Sequence, residues 1–212
     1  MKKVSAQFKN AFTLAEVLIT LVIVGIIAAL TIPSVINNMQ KNELRSQFKK
    51  SVSVTSQAVQ KMKADYGDLV NDSANNTQQS FRDTFMSYFS VICNTNCVDE
   101  NKYKNLINNS SDGEGFFSES FITQDGSSYG FSKSSYSGYI YITVDINGPA
   151  KRPNRFGYDV FSFYIIDNNL NFCGDKIPGP GVSCDDSDDA RNGLGCTQKA
   201  VFDANYFKNL PK

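Results

Sequence analysis

The 212-residue chain contains no histidine and no tryptophan. Without histidine, the Ser-His-Asp and Cys-His nucleophile systems are excluded, and so is any metal centre with an imidazole ligand. Excess charge of one sign is missing too. Lys+Arg and Asp+Glu stand at 21 each, so no global field draws the chain toward nucleic acid. A phosphate-cradling Walker loop, a Gly-x-Ser-x-Gly elbow and a dinucleotide fingerprint are all absent. These absences count against an enzyme. The length fits one ordinary domain plus an extension.

Charge is scarcest near the N-terminus. Residues 1–11 read MKKVSAQFKNA, with Lys2, Lys3 and Lys9 as the only charges. An apolar run follows from Phe12 to Ile32, FTLAEVLITLVIVGIIAALTI, and Glu16 is its one charged residue. As a helix, a run of this length spans about 30 Å, the hydrocarbon thickness of a bilayer. The basic leader belongs on the cytoplasmic side by the positive-inside rule, a signal diluted by Lys41, Arg45, Lys49 and Lys50 beyond the run. A secretory signal peptide would need a small-residue cleavage site near Thr31. Ala29-Leu30-Thr31 is a poor one, and that reading leaves Glu16 unexplained. A plain membrane anchor leaves Glu16 unexplained as well. An acid within a membrane costs roughly 2.5–3.5 kcal/mol on insertion scales and calls for a partner. A cut between Ala11 and Phe12 would create one, an α-amino group with a pKa near 8 in water. Glu16 would then be the fifth residue of the shortened chain. An amine on a neighbouring subunit pairing with it would turn a buried-charge cost into a rule for register.

The short basic leader, Phe12-Thr13-Leu14-Ala15-Glu16, the apolar run and Pro33 closely resemble the N-terminus of type IV pilins and of type II secretion pseudopilins. The resemblance covers about residues 1–66. It implies a prepilin peptidase that cuts before Phe12 and methylates the new amine, with Ala11 standing where the family usually has Gly. It implies assembly roles for Glu16 and Pro33. It also implies a single pass through the inner membrane, among lipid, with an extracytoplasmic head. From there an inner-membrane assembly platform would draw the subunit into a homo- or hetero-oligomeric filament, in the periplasm or at the cell surface. The function implied is a structural subunit of a type IV pilus or related filament, with a type II secretion pseudopilin as the alternative. A singly anchored extracytoplasmic binding module or enzyme is the reading from a different class.

The expected fold is α+β: a long N-terminal helix, hydrophobic then amphipathic, packed on an antiparallel β-sheet head. Its expected parts are a leader (1–11), a membrane and filament-core helix (12–36), an amphipathic continuation (37–67) and a head (68–212). Apolar residues at Met39, Leu44, Phe48, Val52, Val59, Met62 and Tyr66 recur mostly at helical spacing, and Gly67 is placed to cap the helix. Pro33 removes one backbone hydrogen bond, which predicts a kink or local melting, with Thr31 and Ser34 placed to satisfy freed carbonyls.

In the head, residues 71–80 read as a polar loop. Phe81, Phe85, Tyr88, Phe89 and Ile92 mark a short helix. Strands are expected around Phe121-Ile122, after the Gln124-Asp125-Gly126 turn, over 138–146, over 159–167, and over 170–173 after an Asn168-Asn169 turn. A terminal helix is expected over 197–208. The Tyr- and Ser-rich outer sheet face reads as a subunit contact or a solvated surface.

Five cysteines, Cys93, Cys97, Cys173, Cys184 and Cys196, all follow the apolar run, on the side where disulfides persist if that run crosses a membrane. Two intrachain bonds among five allow about 15 pairings, and the sequence does not choose. Three further clusters could carry chemistry. Asp145, Asn147 and Asp159, in VDINGPAKRPNRFGYD, are oxygen ligands of the kind calcium uses, and calcium is the one cofactor the sequence suits. The plainer reading is a strand end, an Asn-Gly turn and an acid opening the next strand. Asp185, Asp186, Asp188 and Asp189 read as a solvated acidic loop before they read as a cation site. Lys151, Arg152 and Arg155 read as a solvated turn before they read as phosphate contacts.

Overall fold

A computed structural model describes residues 12–67, 69, 78–95, 97–107, 115–133, 139–174, 183–187 and 191–210. The leader with Ala11, most of the polar loop at 71–80, and Asp188 and Asp189 lie outside the described residues. The chain divides into two compact units, residues 1–40 and 41–212.

Helix α1 runs over Leu14–Tyr66. Within the first unit none of its residues is buried, and Leu30 is 75% exposed. It is long and apolar enough there to cross a membrane. The helix continues through Pro33 without a break, contrary to the expected local melting. The Thr31 hydroxyl donates to the carbonyls of Ile27 (2.9 Å) and Ala28 (3.4 Å). The carbonyl that a proline at 33 deprives is that of Ala29, so Thr31 does not replace the missing bond. One lost bond is small against bonded turns on both sides, and the backbone stays helical.

In the second unit α1 buries Leu44, Phe48, Ser51, Thr55, Ala58, Val59 and Met62, spaced three or four apart along one face. Tyr66, expected on this stripe, is exposed, as is Met39 in the first unit. Helix α2 (Gln78–Met86) sinks Phe81 and Phe85 into the same core. It ends before the expected Ile92. Val91–Cys93 instead forms β1, because two β-branched residues can satisfy their backbone on the edge of the sheet.

The sheet is one antiparallel meander of six strands in the order β1-β2-β3-β4-β5-β6. The others are β2 (Glu119–Thr123), β3 (Ser128–Lys133), β4 (Ile140–Asp145), β5 (Val160–Ile166) and β6 (Asn169–Phe172). Register assigns its two faces. Phe121, Tyr129, Val144 and Phe161 lie opposite one another across β2–β5, as do Phe131, Ile142, Phe163 and Phe172 across β3–β6. These join the buried side chains of α1 and α2 in the main core, and Phe48 meets Phe161 at a 4.4 Å centroid distance.

The opposite face carries small residues, Gly130, Thr143 and Ser162 in one row. It was expected to be a contact or solvated surface, yet this part is buried. A second core of Tyr103, Phe117, Phe156, Val160 and Leu194 serves that side. A Cβ on Gly130 would lie 2.2 Å from the Phe116 carbonyl oxygen, so only glycine admits the covering segment. The neighbouring row, with Ser132, Tyr141, Tyr164 and Asn171, stays partly open.

Two boundaries differ from expectation by local chemistry. The β5–β6 hairpin turns on Asp167 (φ 49°) and Asn168 (φ 59°), one residue earlier than the Asn-Asn pair suggests, because a two-residue turn of this hand needs two left-handed positions. The terminal helix splits into α3 (Cys196–Phe202) and a 3-10 turn (Tyr206–Lys208). The Asp203 carboxylate accepts from the Asn205 N–H (2.8 Å) and redirects the chain between them.

Candidate functional site

The first site is the start of α1. Thr13 precedes the first helical residue and Glu16 is the third residue inside. Glu16 Oε2 accepts from the Thr13 N–H and from the Thr13 hydroxyl, both at 2.8 Å, while the Glu16 N–H donates to Thr13 Oγ1 at 3.3 Å. This is a reciprocal capping box, and it offsets orphan N–H groups at a helix start. The one acid of the apolar run therefore has a partner within its own chain. Thr13 was missed as a site residue, although the Thr-x-x-Glu spacing carries the signal. Phe12, just outside the box, is 86% exposed.

The second site is the β4–β5 connection. Antiparallel pairing sets Asp145, the last residue of β4, beside Asp159, the residue before β5. Both have 0% exposure. Asp145 Oδ1 accepts from the N–H groups of Gly148 (2.9 Å) and Asn147 (3.3 Å), and its Oδ2 from the Tyr103 hydroxyl (2.8 Å). Asp159 Oδ1 accepts from the Arg155 N–H (2.6 Å), and its Oδ2 from the Asn154 N–H (2.9 Å) and the Asn147 amide (3.4 Å). Burial raises both carboxyls above the ordinary range, and Asp159 raises Asp145 further, while these donors oppose the shift. Gly148 sits at φ 84°, where a Cβ would be 1.9 Å from the Gly126 carbonyl, which explains the Asn-Gly pair. Thus Asp145, Asn147 and Asp159 converge. Tyr103 and Asn154 complete the group: Asn154 lies in the quoted segment but was not singled out, and Tyr103 was missed because nothing in its spacing ties it to Asp145.

The remaining candidates separate. Cys93 bonds to Cys97, and Cys184 to Cys196. Cys173 is free and buried, and burial pushes its thiol far above the usual range. Asp185 and Asp186 are exposed, with Asp185 below the usual carboxylate range through its hydrogen bonds with Ser187. Lys151 and Arg152 are exposed in the turn before Asn154. Among the described residues, no group of three or more His, Cys, Asp or Glu side chains is placed to hold a metal.

An apolar helix opening on a capped acid, joined to an antiparallel sheet head, is an α+β, pilin-like architecture. Residues 8–32 match the family described as the prokaryotic N-terminal methylation motif, consistent with type IV pilins and pseudopilins. No curated protein and no solved structure matches the chain.

Proposed function

We propose that this protein is a structural subunit of a type IV pilus or related filament. In this reading it is cut between Ala11 and Phe12 by a prepilin peptidase and assembled from the inner membrane. The observation that carries it is the match over residues 8–32 to a methylation motif, on a helix start whose one acid is held at a defined position by Thr13. The exposed apolar side chains through Ile36 support it, since a helix apolar all round needs lipid or other helices around it. A freed amine at Phe12 of a neighbouring copy would pair with Glu16 and set the axial step between subunits. The role is structural, and a heterologous contact that does not close would give a helical fibre.

Intact mass and N-terminal sequencing of protein from native membranes test the processing. We expect a chain beginning at Phe12 and heavier by one methyl group. A chain beginning at Met1 would mark an unprocessed anchor, and one beginning near residue 32 a secreted protein. Glu16→Ala tests assembly. The variant should accumulate in the membrane with filaments lost, whereas a singly tethered module would keep its function.

A further inference from the structure

We infer that the first turns of α1 in the second unit carry a binding surface for anionic phospholipid headgroups, built from Lys41, Arg45 and Lys49 with Lys208 beside them. The inference rests on the membrane-inserted reading of the apolar run. The observation that carries it is a stripe of like charge that nothing in the protein balances. Lys41, Arg45 and Lys49 stand four residues apart, so they line one side of the helix. Like charges at this spacing work against a helix. Glu43 is the one acid between residues 37 and 64. It falls roughly opposite Lys41 and Arg45 around the helix, and its carboxylate accepts from the Gln47 amide (3.1 Å). Among the described residues, neither Arg45 nor Lys49 has an ion-pair partner, whereas Lys50, on another side of the helix, pairs with Asp125.

Tertiary structure adds a fourth cation. The Lys41 ammonium donates to the Lys208 carbonyl (2.7 Å), and Phe207 packs on Phe48 with ring centroids 5.4 Å apart. These contacts fix the C-terminal 3-10 turn against the same stretch of helix, and they bring the exposed Lys208 to it. Lys41 keeps its charge and two further N–H donors.

Position along the chain selects the partner. Lys41 is five residues beyond Ile36 in α1, a helical rise of about 7.5 Å. The headgroup layer on one side of a bilayer is about 5–7 Å deep. Helical side chains lean toward the N-terminus of their own helix, which brings Arg45 and Lys49, one and two turns further on, back toward that layer. The charges also run against the orientation rule. Lys41, Arg45, Lys49 and Lys50 beyond the apolar run outnumber Lys2, Lys3 and Lys9 before it. Anionic headgroups give these cations a partner, and the contact sets the depth at which an unassembled subunit waits. Closeness to the span favours headgroups over a soluble polyanion such as nucleic acid.

The test titrates the full-length chain in uncharged detergent with dioctanoyl phosphatidylglycerol or dioctanoyl phosphatidylcholine, and reads bound lipid by native mass spectrometry. Each cation near an anionic surface is worth about fivefold in affinity, so the parent should bind phosphatidylglycerol about tenfold or more tighter than phosphatidylcholine. High salt should shrink that preference. Arg45→Gln combined with Lys49→Gln should remove most of it while the thermal melt stays unchanged. Lys151→Gln combined with Arg152→Gln, an equal loss of charge on the exposed β4–β5 turn, should leave it intact. Equal affinity of the parent for the two lipids would overturn the proposal. So would an equal loss in the two double variants, because the attraction would then be to net charge alone. Inorganic phosphate or a short DNA duplex that displaces phosphatidylglycerol at equal concentration would overturn it in favour of a general anion surface. Incorporation into phosphatidylcholine nanodiscs checks the span separately. A chain that incorporates without a lipid preference loses this inference and keeps the membrane reading, and one that does not incorporate loses both.

Discussion

A single buried side chain shows how unevenly the energy of the head is spread. Phe48 is 2% exposed and packs its ring at a tilt against both Phe161 and Phe207. Removing its ring leaves a void in a core where α1 meets the sheet, so Phe48→Ala should cost about 3–5 kcal/mol in denaturant unfolding. The acid pair gives a prediction in pH. Burial raises both Asp145 and Asp159 above the ordinary carboxylate range, and the neighbouring Asp159 raises Asp145 further. A carboxyl raised on folding stabilises fully below its unfolded pKa, and that contribution is lost as pH rises through the folded one. The head should therefore lose stability progressively as pH rises from about 4 to about 8, and Asp145→Asn should flatten the slope. Asp125 acts in the opposite sense and in a lower window. Burial would raise it, but bonds from Lys50, Thr123 and Ser127 outweigh that and hold it well below 3.8, so its contribution is lost only in strong acid. A stability flat from about pH 4 to about 8 would show that the pair stays ionised throughout.

At the scale of elements, backbone conformation decides where the sequence is exacting. The β5–β6 hairpin closes on two left-handed residues, and Asn168 also accepts the Leu69 N–H through Oδ1 (2.8 Å). Asn168→Val would place a β-branched residue at φ 59° and lose that bond. It should destabilise the head by about 1–3 kcal/mol, whereas Asn168→Gly should cost less, because it relieves the backbone and forfeits only the side-chain bond. Thermal melts of the two variants separate these contributions. The hairpin's existence was legible from its flanking apolar alternation. Its register was not, because Asp-Asn and Asn-Asn are near-equal candidates until strand pairing chooses between them. Helix α2 makes the same point. Its apolar spacing runs on to Ile92, but pairing with β2 takes Val91–Cys93 into the sheet.

Across the whole head, the sheet is a middle layer rather than an outer one. The Cys184–Cys196 disulfide ties the start of α3 to the turn at residues 183–187. Lys199 adds an ammonium bond to the Cys184 carbonyl at 2.5 Å. The bond closes a loop with a sequence separation of 12, so replacing both cysteines with serine should cost about 2–3 kcal/mol by chain-entropy reasoning. The loss is measurable by denaturant unfolding. Cys173 should resist thiol reagents until the head unfolds, since it is wholly buried and its thiol is held protonated.

The sequence by itself determined the helix that opens the chain, the one acid near its start and the meander of strands. These follow from local signals: an apolar run with a single charge, a 3.6-residue stripe, and alternation broken by Asn and Gly. Tertiary structure alone decided the cysteine pairs, the covered second face of the sheet, and the union of Tyr103 and Asn154 with Asp145 and Asp159. Most of these partners lie on different segments, and even within one segment spacing along the chain does not encode which side chains will meet. Gly130 shows the limit most plainly. In the sequence it is a glycine in a strand, and only the Phe116 carbonyl pressed against it explains why no side chain is there.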